Sequence, residues 1–193
     1  MLAPLVLLIL INQPVTYAVA TALFFLVAMT DTIDGRLARR YHLVSTLGVF
    51  LDLTADKMLV SGLLIALVEV HLVPSWIVII IVAREFLVTG MRSLAASAGK
   101  VIPAGRLGKM KTFLTLIATG GIMLGMAFGA TSRLSLFPPH FAPWSQLNFG
   151  DLLLFAADIV MIFALILTVL SAIEYMRDAA FLFRSQENVA QKG

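Results

Sequence analysis

An all-α integral membrane protein is the fold class this sequence predicts: six transmembrane helices, the first of them cut short, with both termini on the cytoplasmic side. Three observations predict it. Of the 193 residues, 60% are hydrophobic and 13% are charged, against about 25% charged in a soluble domain. The apolar residues gather into six runs parted by prolines and polar residues. Of the 14 Lys and Arg residues, all but Arg133 fall on one side of that arrangement, as basic residues collect in cytoplasmic loops.

A spanning helix takes about 20 mostly apolar residues. Residues 1–11 form the first run, closed by Asn12-Gln13-Pro14; it is too short to span by itself. It lacks a basic leader and a small-residue cleavage site, so it does not read as a signal peptide. The other spans fall at about 15–37, 47–70, 75–96, 107–130 and 150–176. Pro74, Pro103, Pro138, Pro139 and Pro143 lie in the connections, where a helix can stop. No repeat divides the chain, and one membrane domain over residues 1–193 is the simplest organisation.

Composition also excludes chemistry. With no cysteine, disulfides, thiolate zinc sites and cysteine nucleophiles are absent. A net charge of +3 is too small to suggest a nucleic-acid partner. The three histidines, His42, His71 and His140, are scattered with no metal-binding spacing. Gly120, Gly121, Gly125 and Gly129 offer small-residue spacing suited either to tight helix packing or to a dimer face. Asp158, eight residues into the last span, either bonds a neighbouring helix or starts below the membrane surface.

Four acids stand where acids are costly. Asp31 and Asp34 end the second span, and Asp52 and Asp56 begin the third. An Asp at the centre of a spanning helix costs about 2.5–3.5 kcal/mol on insertion scales; near an interface the cost is lower, but clustered acids repel. Spacings of three and four residues put each pair on one helix face. A short turn joins the two helices as antiparallel neighbours, so the four carboxylates converge. Ion pairing with Arg39, Arg40 and Lys57 is one way to compensate them. The other is divalent metal: hard cations take oxygen ligands, and Mg²⁺ is commonly held by carboxylates together with substrate phosphates. Two such ions about 3.5–4 Å apart are the usual two-metal arrangement for phosphoryl transfer. Gly35 and Gly48 flank the cluster and permit close approach, and Arg36, Arg39 and Arg40 stand beside it for phosphate or carboxylate.

The stretch Asp31-Thr-Ile-Asp34-Gly35-Arg-Leu-Ala38-Arg39, eight further residues, and Gly48-Val-Phe-Leu-Asp52-Leu-Thr-Ala-Asp56 fits D-x2-D-G-x2-A-R-x8-G-x3-D-x3-D at every fixed position. That pattern resembles the CDP-alcohol phosphatidyltransferases, and so does the six-span reading. The resemblance implies transfer of a phosphatidyl group from a CDP-lipid to an alcohol with release of CMP. It implies two divalent cations, Mg²⁺ or Mn²⁺, on Asp31, Asp34 and Asp52 with Asp56 close by. Asp56 would also be the general base, and Asp34, Gly35, Ala38, Arg39 and Gly48 would line the CDP-lipid site. A homodimer in the bacterial cytoplasmic (inner) membrane, with the active site at its cytoplasmic face among membrane lipids, is implied as well. The chain departs from the family in opening at Met1-Leu2-Ala3-Pro4, which resembles the residues just after the family's N-x-L-T-x-x-R segment. It also lacks the proline common after the third Asp.

The acceptor is indicated by Ala83-Arg84-Glu85-Phe86-Leu87-Val88-Thr89-Gly90-Met91-Arg92 and by Leu107-Gly108-Lys109-Met110-Lys111-Thr112. Both resemble the branch of the family that uses sn-glycerol 3-phosphate and CDP-diacylglycerol to give phosphatidylglycerophosphate. Its phosphate needs a basic pocket, for which Arg84, Arg92, Arg106, Lys109 and Lys111 are candidates. Arg84 follows an apolar run and needs an anionic partner: either phosphate or an acid such as Glu85. Arg106, Lys109 and Lys111 serve either the acceptor or a lipid-headgroup belt. Ser171 to Tyr175 resembles the family's closing S-x-x-x-Y. The alternative acceptor is phosphatidylglycerol, as in cardiolipin synthesis. Outside the class stands a divalent-cation or phosphate transporter, but transporters place polar groups near the midplane, whereas these acids cluster at one end.

Overall fold

The computed structural model describes residues 2–40, 46–97, 105–130 and 148–190, with side chains except at 31–53, 106 and 178–190. The described residues form six helices and no strand: α1 (Leu2–Ile11), α2 (Pro14–Arg40), α3 (Thr46–Glu69), α4 (Ser75–Ser97), α5 (Arg106–Ala127) and α6 (Phe149–Ala190). Each coincides with one apolar run, and the first five end within three residues of the run's limits. The sixth does not. The apolar run stops near Met176, but α6 continues to Ala190 for 42 residues in all. At a rise of about 1.5 Å per residue that is about 63 Å, twice the hydrocarbon thickness of a bilayer. Hydropathy marks where lipid ends; Ala, Leu, Arg, Gln and Glu carry the helix on because no Pro or Gly interrupts it.

Local chemistry sets the helix ends. Pro14 starts α2 at the one position where a missing N–H costs nothing. Before it, Asn12 takes a left-handed φ of 56°, which Asn tolerates, and its side-chain oxygen accepts a hydrogen bond from the Tyr17 hydroxyl at 3.0 Å. Between α3 and α4, the amides of Leu72 and Val73 both donate to the Leu67 carbonyl, at 2.9 and 3.3 Å. Pro74 then precedes the new helix. Beyond α5, Gly129 adopts a φ of +76°, and Gly129 and Ala130 donate back to the carbonyls of Met126 and Gly125. That is the glycine-dependent end that satisfies the last carbonyls of a helix. At the start of α6 the buried Asp151 accepts the Asn148 amide at 3.1 Å, a reach back across the first turn.

All six helices contribute to one apolar core that includes Leu5, Tyr17, Phe24, Leu64, Ile77, Ile122 and Leu154. α5 packs most extensively on α6; α2 lies on α5, α4 on α6, and α1 against α2 and α3. Glycines make the α5–α6 approach possible. A Cβ at Gly121 would lie 2.9 Å from the Ala157 Cβ, and one at Gly125 would lie 3.1 Å from the Gly150 carbonyl oxygen and the Leu154 amide. Gly120 is covered by Phe24 and Phe25 of α2. Of the two roles open to these glycines, Gly120, Gly121 and Gly125 serve packing within the chain, and Gly129 serves the turn.

Outward faces carry exposed Leu7, Phe25, Ile79, Phe86 and Phe163, the inverse of a soluble surface and the expected one for a protein solvated by lipid. Two stretches, Leu107–Ala127 and Phe149–Arg177, are long and apolar enough to cross a membrane. α4 carries Arg84, Glu85 and Arg92 within its 23 residues, and all three charges turn inward to a cavity. Asp158 is buried, and its Oδ1 has no partner among the described residues.

Candidate active site

α3 and α5 touch only slightly, and α4 does not close the gap between them. The result is a cavity of about 870 Å³ between α3, α4 and α5, with Tyr175 of α6 at its edge. Asp56 and Lys57 reach it from α3, Arg84, Glu85, Thr89 and Arg92 from α4, and Lys109 and Lys111 from α5. Its apolar lining comes from Val60, Leu64, Ile81, Val88 and Leu116. Helical spacing explains the gathering. Arg84, Val88 and Arg92 recur every four residues on α4, and Lys111 and Thr115 do so on α5, so each helix turns one stripe toward the cavity.

Polar contacts lock the wall. Lys111, 3% exposed, is ion-paired across helices with Glu85. Arg84, 8% exposed, places Nη1 3.4 Å from Glu85 Oε1 and donates from Nη2 to Ser171 Oγ at 2.7 Å. Its guanidinium stacks 5.7 Å from the Tyr175 ring centroid, within cation–π range. Lys57 donates to Thr89 Oγ1, whose own proton goes to the Glu85 carbonyl at 2.7 Å. The Gly105 amide, just before α5, donates to the Tyr175 hydroxyl at 3.2 Å, and a Cβ at Gly105 would lie 3.1 Å from Glu174 Oε2. α6 thereby ties down the end of α5 that bears Lys109 and Lys111.

Five basic side chains face two acidic ones around this cavity. An arrangement with excess positive charge favours anions, and the planar fork of Arg84 suits phosphate. Both partners considered for Arg84 are thus relevant: Glu85 is its contact, and Nε remains without a partner among the described residues.

Of the residues singled out from sequence, Asp56, Arg84, Arg92, Lys109 and Lys111 meet at this one cavity. Asp31, Asp34, Gly35, Ala38 and Arg39 lie on α2, Gly48 and Asp52 on α3, and Arg106 opens α5; their side chains lie outside the described residues. Among the described residues no three His, Asp or Glu side chains converge. Sequence reading assigned no role at this cavity to Lys57, Thr89 or Ser171. Lys57 was legible only as a salt-bridge partner of the acids. A four-residue spacing of Lys57 with Ser61, and of Glu85 with Thr89, was the available signal.

The chain matches the model of the CDP-alcohol phosphatidyltransferase family over residues 1–170. The chain belongs to this family. It is 38% identical over 162 residues to the CDP-diacylglycerol–glycerol-3-phosphate 3-phosphatidyltransferase of Bacillus subtilis, a match covering 84% of this chain and 74% of that protein. The protein of the same name from Rickettsia bellii is 40% identical over 115 residues, 60% of this chain and 64% of the relative. A Mycobacterium tuberculosis protein named "Probable phosphatidylglycerophosphate synthase" is 35% identical over 161 residues, 83% of this chain and 66% of the relative.

Proposed function

We propose that this chain transfers the phosphatidyl group of CDP-diacylglycerol to sn-glycerol 3-phosphate, giving phosphatidylglycerophosphate and CMP. One observation carries the reading: Asp56, the last acid of the family signature, opens on the same cavity as Arg84, Arg92, Lys109 and Lys111. A base and a cationic pocket for a phosphate-bearing alcohol therefore share one space. The names of the relatives support the same substrates.

Asp31, Asp34, Asp52 and Asp56 would hold two divalent cations, Mg²⁺ or Mn²⁺. The donor set fits, being carboxylate oxygen only, one helical turn apart on α2 and again on α3, with Asp56 exposed at the cavity. Bound there, the ions supply neutralisation of the pyrophosphate charge. Gly35, Ala38, Arg39 and Gly48, with Asp34, line the CDP-lipid side. On the acceptor side Arg84, Arg92, Arg106, Lys109 and Lys111 hold the phosphate, so that the free hydroxyl is presented to Asp56. Asp56 takes the hydroxyl proton. The acceptor oxygen then bonds to the phosphatidyl phosphorus, the bond from that phosphorus to the bridging oxygen breaks, and CMP leaves with its electron pair.

All six helices lie in the bacterial cytoplasmic membrane as one domain over residues 1–193, with the termini and the site at the cytoplasmic face. The one-sided distribution of basic residues supports this orientation. The active form is a homodimer, in keeping with the broad exposed apolar faces.

The test is CMP release from CDP-diacylglycerol by the purified chain with Mg²⁺, run with glycerol 3-phosphate, with phosphatidylglycerol and with no acceptor. Release that needs glycerol 3-phosphate and stops on chelation is the expected result. Release with phosphatidylglycerol alone would move the chain to cardiolipin synthesis, and release with neither would overturn the assignment.

A further inference from the structure

Ser171 sits on α6, outside the acidic signature of α2 and α3 and outside the three helices that enclose the cavity, yet it is fully buried and bonded to a buried cation of the pocket. Its Oγ–H donates to the Thr168 carbonyl at 3.1 Å. With its only proton committed there, the hydroxyl oxygen is left as an acceptor, and Arg84 Nη2 donates to it at 2.7 Å. The Tyr175 ring, one turn along the same helix, lies against the guanidinium. Arg84 is thus gripped at Nη2 and on one face by α6, while Glu85 takes Nη1 only at 3.4 Å. A guanidinium has five N–H donors, and these contacts engage two.

We propose that Ser171 is the positioning residue for recognition of the acceptor's phosphate: its buried oxygen fixes the rotamer of Arg84, so that the remaining donors of the fork face the cavity. Arg otherwise has several side-chain torsions to lose when it binds, and Glu85, one residue along the same helix, competes for it. Holding the fork beforehand moves that ordering cost out of the binding step. The effect is confined to the acceptor, because the signature residues assigned to the CDP-lipid lie on α2 and α3, whereas among the described residues Ser171 hydrogen-bonds to the pocket through Arg84. The inference rests on glycerol 3-phosphate being the acceptor.

The experiment compares the full-length wild type with Ser171→Ala and Ser171→Cys in detergent with Mg²⁺. Initial rates of CMP release are measured against glycerol 3-phosphate and, separately, against CDP-diacylglycerol. The shift in melting temperature on adding glycerol 3-phosphate is measured in parallel. Ser171→Ala is expected to raise the KM for glycerol 3-phosphate about tenfold, equivalent to about 1.4 kcal/mol, with kcat and the KM for CDP-diacylglycerol within twofold of wild type. Ser171→Cys, with a weaker acceptor of similar size, falls between. The glycerol 3-phosphate melting shift shrinks in the same order. An unchanged acceptor KM, an equal rise in both KM values, or a lower melting temperature with the ligand shift intact would overturn the positioning role. Those results leave the wild type responding to glycerol 3-phosphate. A wild type that does not respond overturns the acceptor reading, and this inference with it.

Discussion

Replacing Glu85 by Gln should destabilise the folded chain more than removing its partner, and ligand should repair the damage. Lys111 and Glu85 are not equally buried: the side chain of Lys111 keeps 4% of its exposure and that of Glu85 25%. Breaking a buried ion pair by deleting one partner costs about 3–5 kcal/mol, because the other charge is left without compensation. In Glu85→Gln the stranded charge is Lys111, buried close to the like charges of Arg84 and Lys57, with the more exposed Asp56 offsetting them only in part. Partial solvation of the pair lowers the figure to about 2 kcal/mol, a fall in melting temperature of about 4–8 °C for a chain of this length. In Lys111→Met the stranded group is Glu85, which keeps Arg84 as a neighbour and has access to water, so the cost is about 1 kcal/mol or less. Saturating glycerol 3-phosphate returns negative charge to the pocket and should narrow the gap between Glu85→Gln and wild type, since a ligand stabilises the state it binds. The assay is thermal unfolding in detergent, with and without ligand. A Lys111→Met variant less stable than Glu85→Gln, or a gap that ligand leaves untouched, would refute the burial argument.

Other outcomes rest on the same geometry. Asp56→Asn should lower CMP release by about 10²- to 10⁴-fold, the usual contribution of a general base, with the melting temperature retained; full activity would remove Asp56 from that role. Arg84→Lys keeps the charge but loses the planar fork, and should raise the KM for glycerol 3-phosphate while sparing that for CDP-diacylglycerol, as initial-rate kinetics will show. Gly125→Val must push α6 away from α5, because even a Cβ would lie 3.1 Å from backbone atoms of Gly150 and Leu154; overpacking of this kind costs about 1–3 kcal/mol, read as a lower melting temperature. Asp158→Leu removes a buried carboxyl whose Oδ1 has no described partner, and should leave the melting temperature equal or higher.

Much of the protein is legible in one dimension. A hydrophobic share of 60% demands lipid or an equivalent apolar surround, and in that solvent only helices satisfy their own backbone. Six apolar runs therefore become six helices. The helix limits were readable where Pro sets them, as at Pro14 and Pro74; the turn at Gly129 was not, since the apolar run continues to Ala130 beyond the end of α5 at Ala127. The end of α6 was not, because beyond Met176 polarity changes but helix propensity does not. The four acids stood out in the sequence because fixed spacing on neighbouring helices is itself a constraint on geometry; of them, Asp56 alone has a described side chain, and it lines the cavity. Arg84, Arg92, Lys109 and Lys111 were legible as candidates from their position on one side of the chain, whereas Lys57, which lines the same cavity, was not.

Sequence named Glu85 as a partner for its neighbour Arg84, but it could not state the pairings made between helices. Lys111 and Glu85 are 26 positions apart, and Arg84 and Ser171 are 87 apart; no periodicity links them. Their pairing depends on α6 lying against both α4 and α5, and the α5–α6 contact in turn depends on glycines that let backbones approach. Composition determined that this chain is helical and apolar enough to call for lipid, and spacing placed two pairs of Asp residues on the facing ends of α2 and α3. Tertiary packing alone decided that α3, α4 and α5 stand apart around a cavity, and that a serine on α6 holds its buried arginine. The physical reason is that helix formation in lipid is satisfied within each segment, whereas a binding site depends on contacts between segments that local sequence does not record.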